Sequence, residues 1–426
     1  MVKCVVKYDN NPNGIYYSGQ SLSGIIEFEN EKTRNVRGVS LRIEGFAKCS
    51  WSESEGTGKN RRTVRYRGRE DYINSFSYLI GSYDVTESVL TEGVHKFNFS
   101  CVLPQQLPTS FESHYGYIRY QIKVEVERPW KFDIKYCFGF TVIKILDLNY
   151  EPPAIRSPMK TETSKTFFLG LGSKPLFVAA EIPMSGFVSG QLIPVSVKIN
   201  NESSTDVEAT RVSLKKIIHY NSLTPRRRTK ERIEKVAEVI HVGVPGKSKN
   251  NVTAMLKIPP VPPTNTAYCK VIQVSYEIRI KAKIGGIHRS PGLRFPITIG
   301  TVPLQNSIYT QPRLGWNAGA AAAAALPLPS TSNAQPSAPE FDALQPSAPF
   351  DLPPPSYQEA IGGSTKKDSN NGEALTEDQP FSPMYPVFNF SSQPQPQSQI
   401  NIQPSNSELP PSYNASQENY QEKKGF

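Results

Sequence analysis

Along the first 300 residues the apolar positions recur with a period of two. Ile118-Arg-Tyr120-Gln-Ile122-Lys-Val124-Glu-Val126 alternates without a break, and Ile272-Gln-Val274-Ser-Tyr276-Glu-Ile278-Arg-Ile280 repeats the pattern. Val39-Ser-Leu41-Arg-Ile43 and Val195-Ser-Val197-Lys-Ile199 are shorter examples. Successive side chains of a strand point to opposite faces, so the alternation predicts strands with one dry and one wet face. Turn formers punctuate these runs, and no long stretch follows the 3.6-residue period of a helix. The pattern predicts an all-β body built as antiparallel sandwiches of the immunoglobulin-like kind.

The body is also written twice. Ser18-Gly19-Gln20 leads into Gly24-Ile-Ile-Glu-Phe-Glu-Asn30, and Ser189-Gly190-Gln191 leads into Pro194-Val-Ser-Val-Lys-Ile-Asn200. A second strand follows each, opening Val39-Ser40-Leu41 in one case and Val212-Ser213-Leu214 in the other. Further on, Leu103-Pro104-Gln-Gln-Leu-Pro108-Thr109 matches Ile258-Pro259-Pro-Val-Pro-Pro263-Thr264, and each precedes one of the two long alternating strands. Three matches in the same order indicate duplication. Two tandem β-sandwiches are expected, over residues 1–150 and 172–300. Residues 151–171 are read as a linker, because Tyr150-Glu-Pro-Pro153 and Ser157-Pro158 favour extended chain.

Residues 301–426 break the pattern. They hold 19 of the 37 prolines, with 5 Lys/Arg against 11 Asp/Glu, whereas the first 300 residues hold 43 and 27. A basic body thus carries an acidic tail. A mixture of Pro, Gln, Ser, Ala and Asn cannot offset its ordering entropy by burial, so the tail is expected to be disordered. Within it stand Pro354-Pro355-Ser356-Tyr357 and Pro410-Pro411-Ser412-Tyr413, two PPxY motifs. Consecutive prolines hold the chain in polyproline II, which leaves little entropy to lose on docking into an aromatic-lined groove. The Tyr, three residues after the first Pro, returns to the same side of that three-fold helix. Composition alone predicts one such motif about 0.1 times, so two point to function, and WW domains are the readers they imply. The first motif continues as Gln358-Glu359-Ala360-Ile361, which suits a helical extension of the contact, and is expected to be the stronger site. Pro336-Ser337-Ala338-Pro339 and Pro346-Ser347-Ala348-Pro349 match P-[S/T]-A-P, the form taken by the UEV domain of the ESCRT-I complex. A slipped duplication of ten residues is the competing explanation for the second copy.

Chemistry is not advertised. The histidines His95, His114, His219, His241 and His288 show no metal-ligand spacing, and no nucleophile elbow or P-loop occurs. Gly170-Leu-Gly172-Ser-Lys174 lacks the spacing of a phosphate loop and reads as a strand-end turn. Cys4, Cys49, Cys101, Cys137 and Cys269 are widely spaced and read as free thiols of a reducing compartment. No apolar run reaches the roughly 20 residues of a membrane helix, and the first residues do not read as a secretory signal. No catalytic residue, metal, cofactor or nucleic-acid partner is expected. Two basic stretches, Arg61, Arg62, Arg65, Arg67 and Arg69 in one and Arg226, Arg227, Arg228 and Lys230 in the other, read as loops. They suit contact with anionic lipid headgroups or phosphorylated cargo tails, or the plainer role of solvated loops.

Residues 116–130, Gly-Tyr-Ile-Arg-Tyr-Gln-Ile-Lys-Val-Glu-Val-Glu-Arg-Pro-Trp, resemble the late strands of an arrestin N-domain, and the Ser189-Gly190-Gln191 strand resembles an arrestin C-domain. With the tail motifs, the whole chain resembles the α-arrestins, or arrestin-domain-containing proteins. The resemblance implies an arrestin fold over residues 1–300 and a non-enzymatic adaptor. Its sandwiches would engage the cytosolic face of a membrane-protein cargo, while its tail recruits a WW-domain HECT-type ubiquitin ligase. Cargo ubiquitination, endocytosis and endosomal sorting would follow, in the cytoplasm and peripherally at plasma membrane and endosomes. The alternative is a retromer-like sorting or coat scaffold with the same fold and no ligase role.

Overall fold

The computed structural model describes residues 2–84, 87–167, 174–285, 288–305 and 381–388. In chain order the first half supplies β1 (Val2–Tyr8), β2 (Ile15–Tyr17), β3 (Ser21–Asn30), β4 (Arg34–Val36), β5 (Gly38–Glu55), β6 (Arg62–Ile80), β7 (Ser88–Leu90), β8 (Gly93–Val102), β9 (Phe111–Ser113), β10 (Gly116–Glu127) and β11 (Ile134–Ile143). The second half supplies β12 (Met159–Lys165), β13 (Leu176–Ile182), β14 (Gly186–Val188), β15 (Leu192–Asn201), β16 (Val207–Ser222), β17 (Arg228–Val244), β18 (Ser248–Lys257), β19 (Ile272–Ile284) and β20 (Gly292–Gly300). The helical elements among the described residues are two short 3₁₀ turns, Gly58–Asn60 and Pro153–Arg156.

The duplication read from the sequence is a duplication of topology. The first sandwich pairs β1-β3-β8 in one sheet and β2-β11-β10-β5-β6 in the other. The second pairs β12-β13-β15-β18 and β14-β20-β19-β16-β17. β2 lies parallel to β11 in one copy, as β14 does to β20 in the other. The alternating strands β10 and β19 hold corresponding central places, flanked by β5 and β11 and by β16 and β20. Their inward residues Ile118, Tyr120, Ile122, Val124 and Val126, and Ile272, Val274, Tyr276, Ile278 and Ile280, are fully or almost fully buried. Each such side chain contributes about 1.5–3 kcal/mol by leaving water.

The quoted repeats have physical reasons. Gly19 and Gly190 both take positive φ, 93° and 92°, at the turns into the long strands β3 and β15. The side-chain carbonyl of Gln20 accepts from the Tyr17 amide at 2.7 Å, and that of Gln191 accepts from Val188 at 3.1 Å. The Tyr120 hydroxyl donates to the Pro108 carbonyl at 2.6 Å and the Tyr276 hydroxyl to that of Pro262 at 2.7 Å. Thr109 and Thr264 accept from the amides of Lys144 and Ile299, both at 2.9 Å.

The structure corrects the expected boundaries. Residues 159–165, inside the stretch read as a linker, form β12, which pairs along its whole length with β13. The sequence Met-Lys-Thr-Glu-Thr-Ser-Lys hides this strand because it edges its sheet and buries none of its residues fully. Two stretches of the tail also depart from expected disorder. Thr301 and Val302 pair with Leu146 and Leu148, and Asn149 donates to the Pro303 carbonyl at 2.9 Å. Residues 381–388 lie against the body, with Phe381 buried.

Candidate functional site

The proposed docking motifs, Pro336–Pro339, Pro346–Pro349, Pro354–Tyr357 and Pro410–Tyr413, lie outside the described residues, as does most of the Gly170–Lys174 turn. The two basic stretches lie within them, and they are not loops. Arg62, Arg65, Arg67 and Arg69 belong to β6, and Arg228 and Lys230 to β17; only Arg61, Arg226 and Arg227 stand just before those strands. The hairpins β5–β6 and β16–β17 are long enough to extend past their sandwiches, and they meet. Arg67 donates its amide to the Thr224 carbonyl at 2.8 Å and accepts from Leu223 at 2.8 Å. This brings the two basic stretches together at one seam between the sandwiches.

At that seam two carboxylates receive much of the positive charge. Glu53 pairs with Arg228 at 2.9 Å and Lys230 at 3.4 Å. Glu55 pairs with Arg226, lies 3.8 Å from Arg228 and 3.9 Å from Arg62, and accepts a hydrogen bond from the Tyr66 hydroxyl. That bond from Tyr66, then the arginines, holds the Glu55 carboxyl below its ordinary range, against a push upward from partial desolvation. Trp51 stacks on Tyr66 at 5.4 Å between centroids, and the Arg228 guanidinium lies 5.6 Å from the Tyr66 ring centre. Elsewhere Arg61 donates to Ser54, Arg65 to Ser50 at 3.1 Å, and Arg69 pairs with Asp71 at 2.7 Å over the Phe46 ring. Arg67 and Arg227 are exposed.

Thiols contribute no reactive group here. All five cysteines are free, four of them buried, and burial pushes Cys4 up to about 12 and Cys49 up to about 11. Among the described residues no group of three or more His, Cys, Asp or Glu is arranged to hold a metal ion. Nor is any described helix long and apolar enough to cross a membrane.

A second concentration of charge escaped the reading of the sequence. On the second sandwich a cleft of about 790 Å³ is lined by Arg211, Lys215, Arg279, Lys281, Lys283 and Arg294, with Lys165 and Arg289 at its edge and Glu238 as its acidic member. Strand periodicity builds it: Arg211, Ser213 and Lys215 share one face of β16, as Arg279, Lys281 and Lys283 share one face of β19. Register then sets like charges opposite one another, Arg211 against Lys281 and Arg279 against Arg294. Such pairs are destabilising on their own. Intramolecular relief is partial: Arg279 pairs with Glu277, and Lys283 with Glu208 at 2.7 Å. The Arg211 Nε is buried without a hydrogen-bond partner. The arrangement suits a polyanionic ligand. Its signal was present in the sequence as cations on the wet positions of Arg211–Lys215 and Arg279–Lys283, at the same period as the apolar residues.

Comparison with known proteins agrees with this architecture. Residues 4–149 match the N-terminal domain of arrestin (or S-antigen), and residues 172–304 match its C-terminal domain. Arrestin domain-containing protein 17 of Caenorhabditis elegans is 29% identical over 305 residues, 69% of each chain. Arrestin domain-containing protein 4 of Mus musculus is 29% identical over 306 residues, covering 70% of this chain and 71% of its own. Arrestin domain-containing protein 1 of Homo sapiens is 22% identical over 308 residues, covering 72% and 66%.

Proposed function

The chain belongs to the arrestin family, in its arrestin domain-containing or α-arrestin branch, and from that premise we propose that it is a non-enzymatic adaptor that couples membrane-protein cargo to WW-domain HECT-type ubiquitin ligases. The observation that carries this reading is the pair of PPxY motifs, Pro354-Pro355-Ser356-Tyr357 and Pro410-Pro411-Ser412-Tyr413, beyond a two-sandwich body. The body offers broad β surfaces for a cargo's cytosolic segments, and the tail offers the ligase its short motifs. The mechanism is proximity: one chain raises the concentration of the enzyme beside its substrate. Cargo so modified enters endocytosis and endosomal sorting, and the Pro336–Pro339 and Pro346–Pro349 motifs add a link to the ESCRT-I UEV domain. The protein acts in the cytoplasm and at the surface of plasma membrane and endosomes. Contact with anionic lipid or phosphorylated cargo falls to the exposed Arg61, Arg65, Arg67 and Arg227 and, more strongly, to the cationic cleft around Arg211 and Arg279.

Pull-down of WW-domain HECT ligases from cytosol by the full chain tests the reading. Ligase is expected on the wild type and lost with Tyr357→Ala plus Tyr413→Ala. Retention by the double variant would take ligase recruitment away from the PPxY motifs, and no capture at all would return the chain to the class of sorting scaffolds without a ligase.

A further inference from the structure

From Cys137 to Ile143 strand β11 is unusual for the outer layer of a sandwich, because both of its faces are largely dry. Phe138, Phe140 and Val142 point into the core, as expected. The opposite face carries Cys137, Gly139, Thr141 and Ile143, and among these Cys137, Thr141 and Ile143 are also buried. Ile15, on the parallel neighbour β2, is buried there too. An outward face that excludes water must be covered.

The cover is the segment Phe381-Ser-Pro-Met-Tyr-Pro-Val-Phe388. Phe381 lies over Gly139: a Cβ built there would come within 2.6 Å of the Phe381 ring, and its three nearest neighbours would all be atoms of that ring. Met384 packs on Ile15 and Ile143, as Tyr17 does, and its amide donates to Thr141 Oγ1 at 3.3 Å. The Tyr385 hydroxyl donates to the Ser110 carbonyl at 3.0 Å. The segment then reaches the second sandwich, where the Phe388 amide donates to the Ser189 carbonyl at 3.0 Å. Gly190, at positive φ, is in contact with the Phe388 carbonyl and Val387. Among the described residues, the corresponding turn of the first sandwich meets only Gln105 at that place. The second copy of the duplicated turn has thus acquired a partner from far along the chain.

We propose that the outer face of β2 and β11, together with the Ser189–Gln191 turn, is a peptide-binding groove whose resident occupant is the chain's own segment Phe381–Phe388. Its chemistry specifies an extended peptide with an aromatic ring at each end, a central thioether and a tyrosine hydroxyl. Occupied in cis, the groove clamps the two sandwiches to each other. It also anchors the chain on both sides of residues 306–380, with residues 389–426 following the second anchor. Resting on the adaptor reading, and only for this consequence, the first PPxY and both PSAP motifs sit between two anchors and the second PPxY beyond them.

Hydrogen–deuterium exchange on the full chain tests the clamp. The amides of Met384 and Phe388 are expected to exchange at least about ten-fold more slowly in the wild type than in Phe381→Ala plus Phe388→Ala. Gly139→Ala, which blocks the Phe381 seat from the other side, should release the segment equally. Protection of β10 serves as the internal control for folding, and is expected to be the same in all three proteins. A labelled synthetic peptide of residues 379–390 should then bind the Phe381→Ala plus Phe388→Ala chain and fail on the same chain carrying Gly139→Ala. Fast exchange of the segment in the wild type overturns the clamp, and peptide binding to such a wild type would assign the groove to a partner's segment instead. No binding to the double variant overturns the groove. Ligase capture through the PPxY motifs is read separately, so the two proposals fail independently.

Discussion

Tyr120 and Tyr276 show how much of this fold is decided by single side chains. Each is fully buried in the central strand of its sandwich, and each spends its only hydroxyl proton on the carbonyl of a proline in the preceding crossover. The rings fill the core, and the hydroxyls fix where the crossover crosses it. Replacing either by Phe keeps the ring and strands a buried carbonyl, a loss of about 1–3 kcal/mol. Tyr120→Phe and Tyr276→Phe should therefore each lower the urea midpoint of unfolding with the slope unchanged. A change under a few tenths of a kcal/mol for both would mean that water satisfies those carbonyls. The same residues explain why the duplication was legible: a glycine at positive φ, a glutamine that caps a short strand, and a threonine that anchors a crossover tolerate few replacements. Their spacing survives where the apolar positions between them drift.

At the scale of elements, legibility followed the dry face. β10 and β19 could be read because a core stands on one side of them and water on the other. β12 was read as linker because, at the edge of its sheet, it has no buried face to mark it. β6 and β17 were read in part as basic loops because their far ends leave the sandwiches, so that arginine replaces leucine along them while the pairing with β5 and β16 continues. What the chain alone does not display is that these two hairpins meet, since Glu53 and Glu55 are separated by some 170 residues from the cations they receive. That meeting is pH-sensitive in a definite direction. The folded-state pKa of Glu55 is depressed, so its contribution is present above the unfolded carboxylate value of about 4.3 and is lost as pH falls through the lower folded value. Thermal unfolding of the wild type should show an acid-side decline in that window, and Glu55→Gln should flatten it while lowering stability at pH 7. An identical acid limb in the two proteins would show that other carboxylates govern it.

For the whole molecule the question is which of its basic surfaces an anionic partner would meet. The net charge of +10 conceals a body far more basic than the tail, but charge counts do not distinguish paired from frustrated cations. At the seam, Arg226, Arg228 and Lys230 already face Glu53 and Glu55, so contact with a phosphate would have to compete with two fixed carboxylates. In the cleft of the second sandwich, arginine faces arginine across adjacent strands, and a bound polyanion would relieve that repulsion as well as add its own attraction. The cleft should therefore dominate. In co-sedimentation with vesicles containing anionic phospholipid, Arg211→Ser plus Arg279→Ser should lose most of the binding, about thirty-fold in apparent affinity at low salt if each cation near the surface is worth about 1 kcal/mol. Arg226→Ser plus Arg228→Ser should change it little, while loosening the seam and lowering the melting temperature. Binding should weaken in both cases as salt rises, because these charges are screened within about 10 Å at 0.1 M. The reverse ranking, with the seam variant losing binding and the cleft variant keeping it, would mean that the seam opens at the membrane and that Glu53 and Glu55 give up their arginines to it.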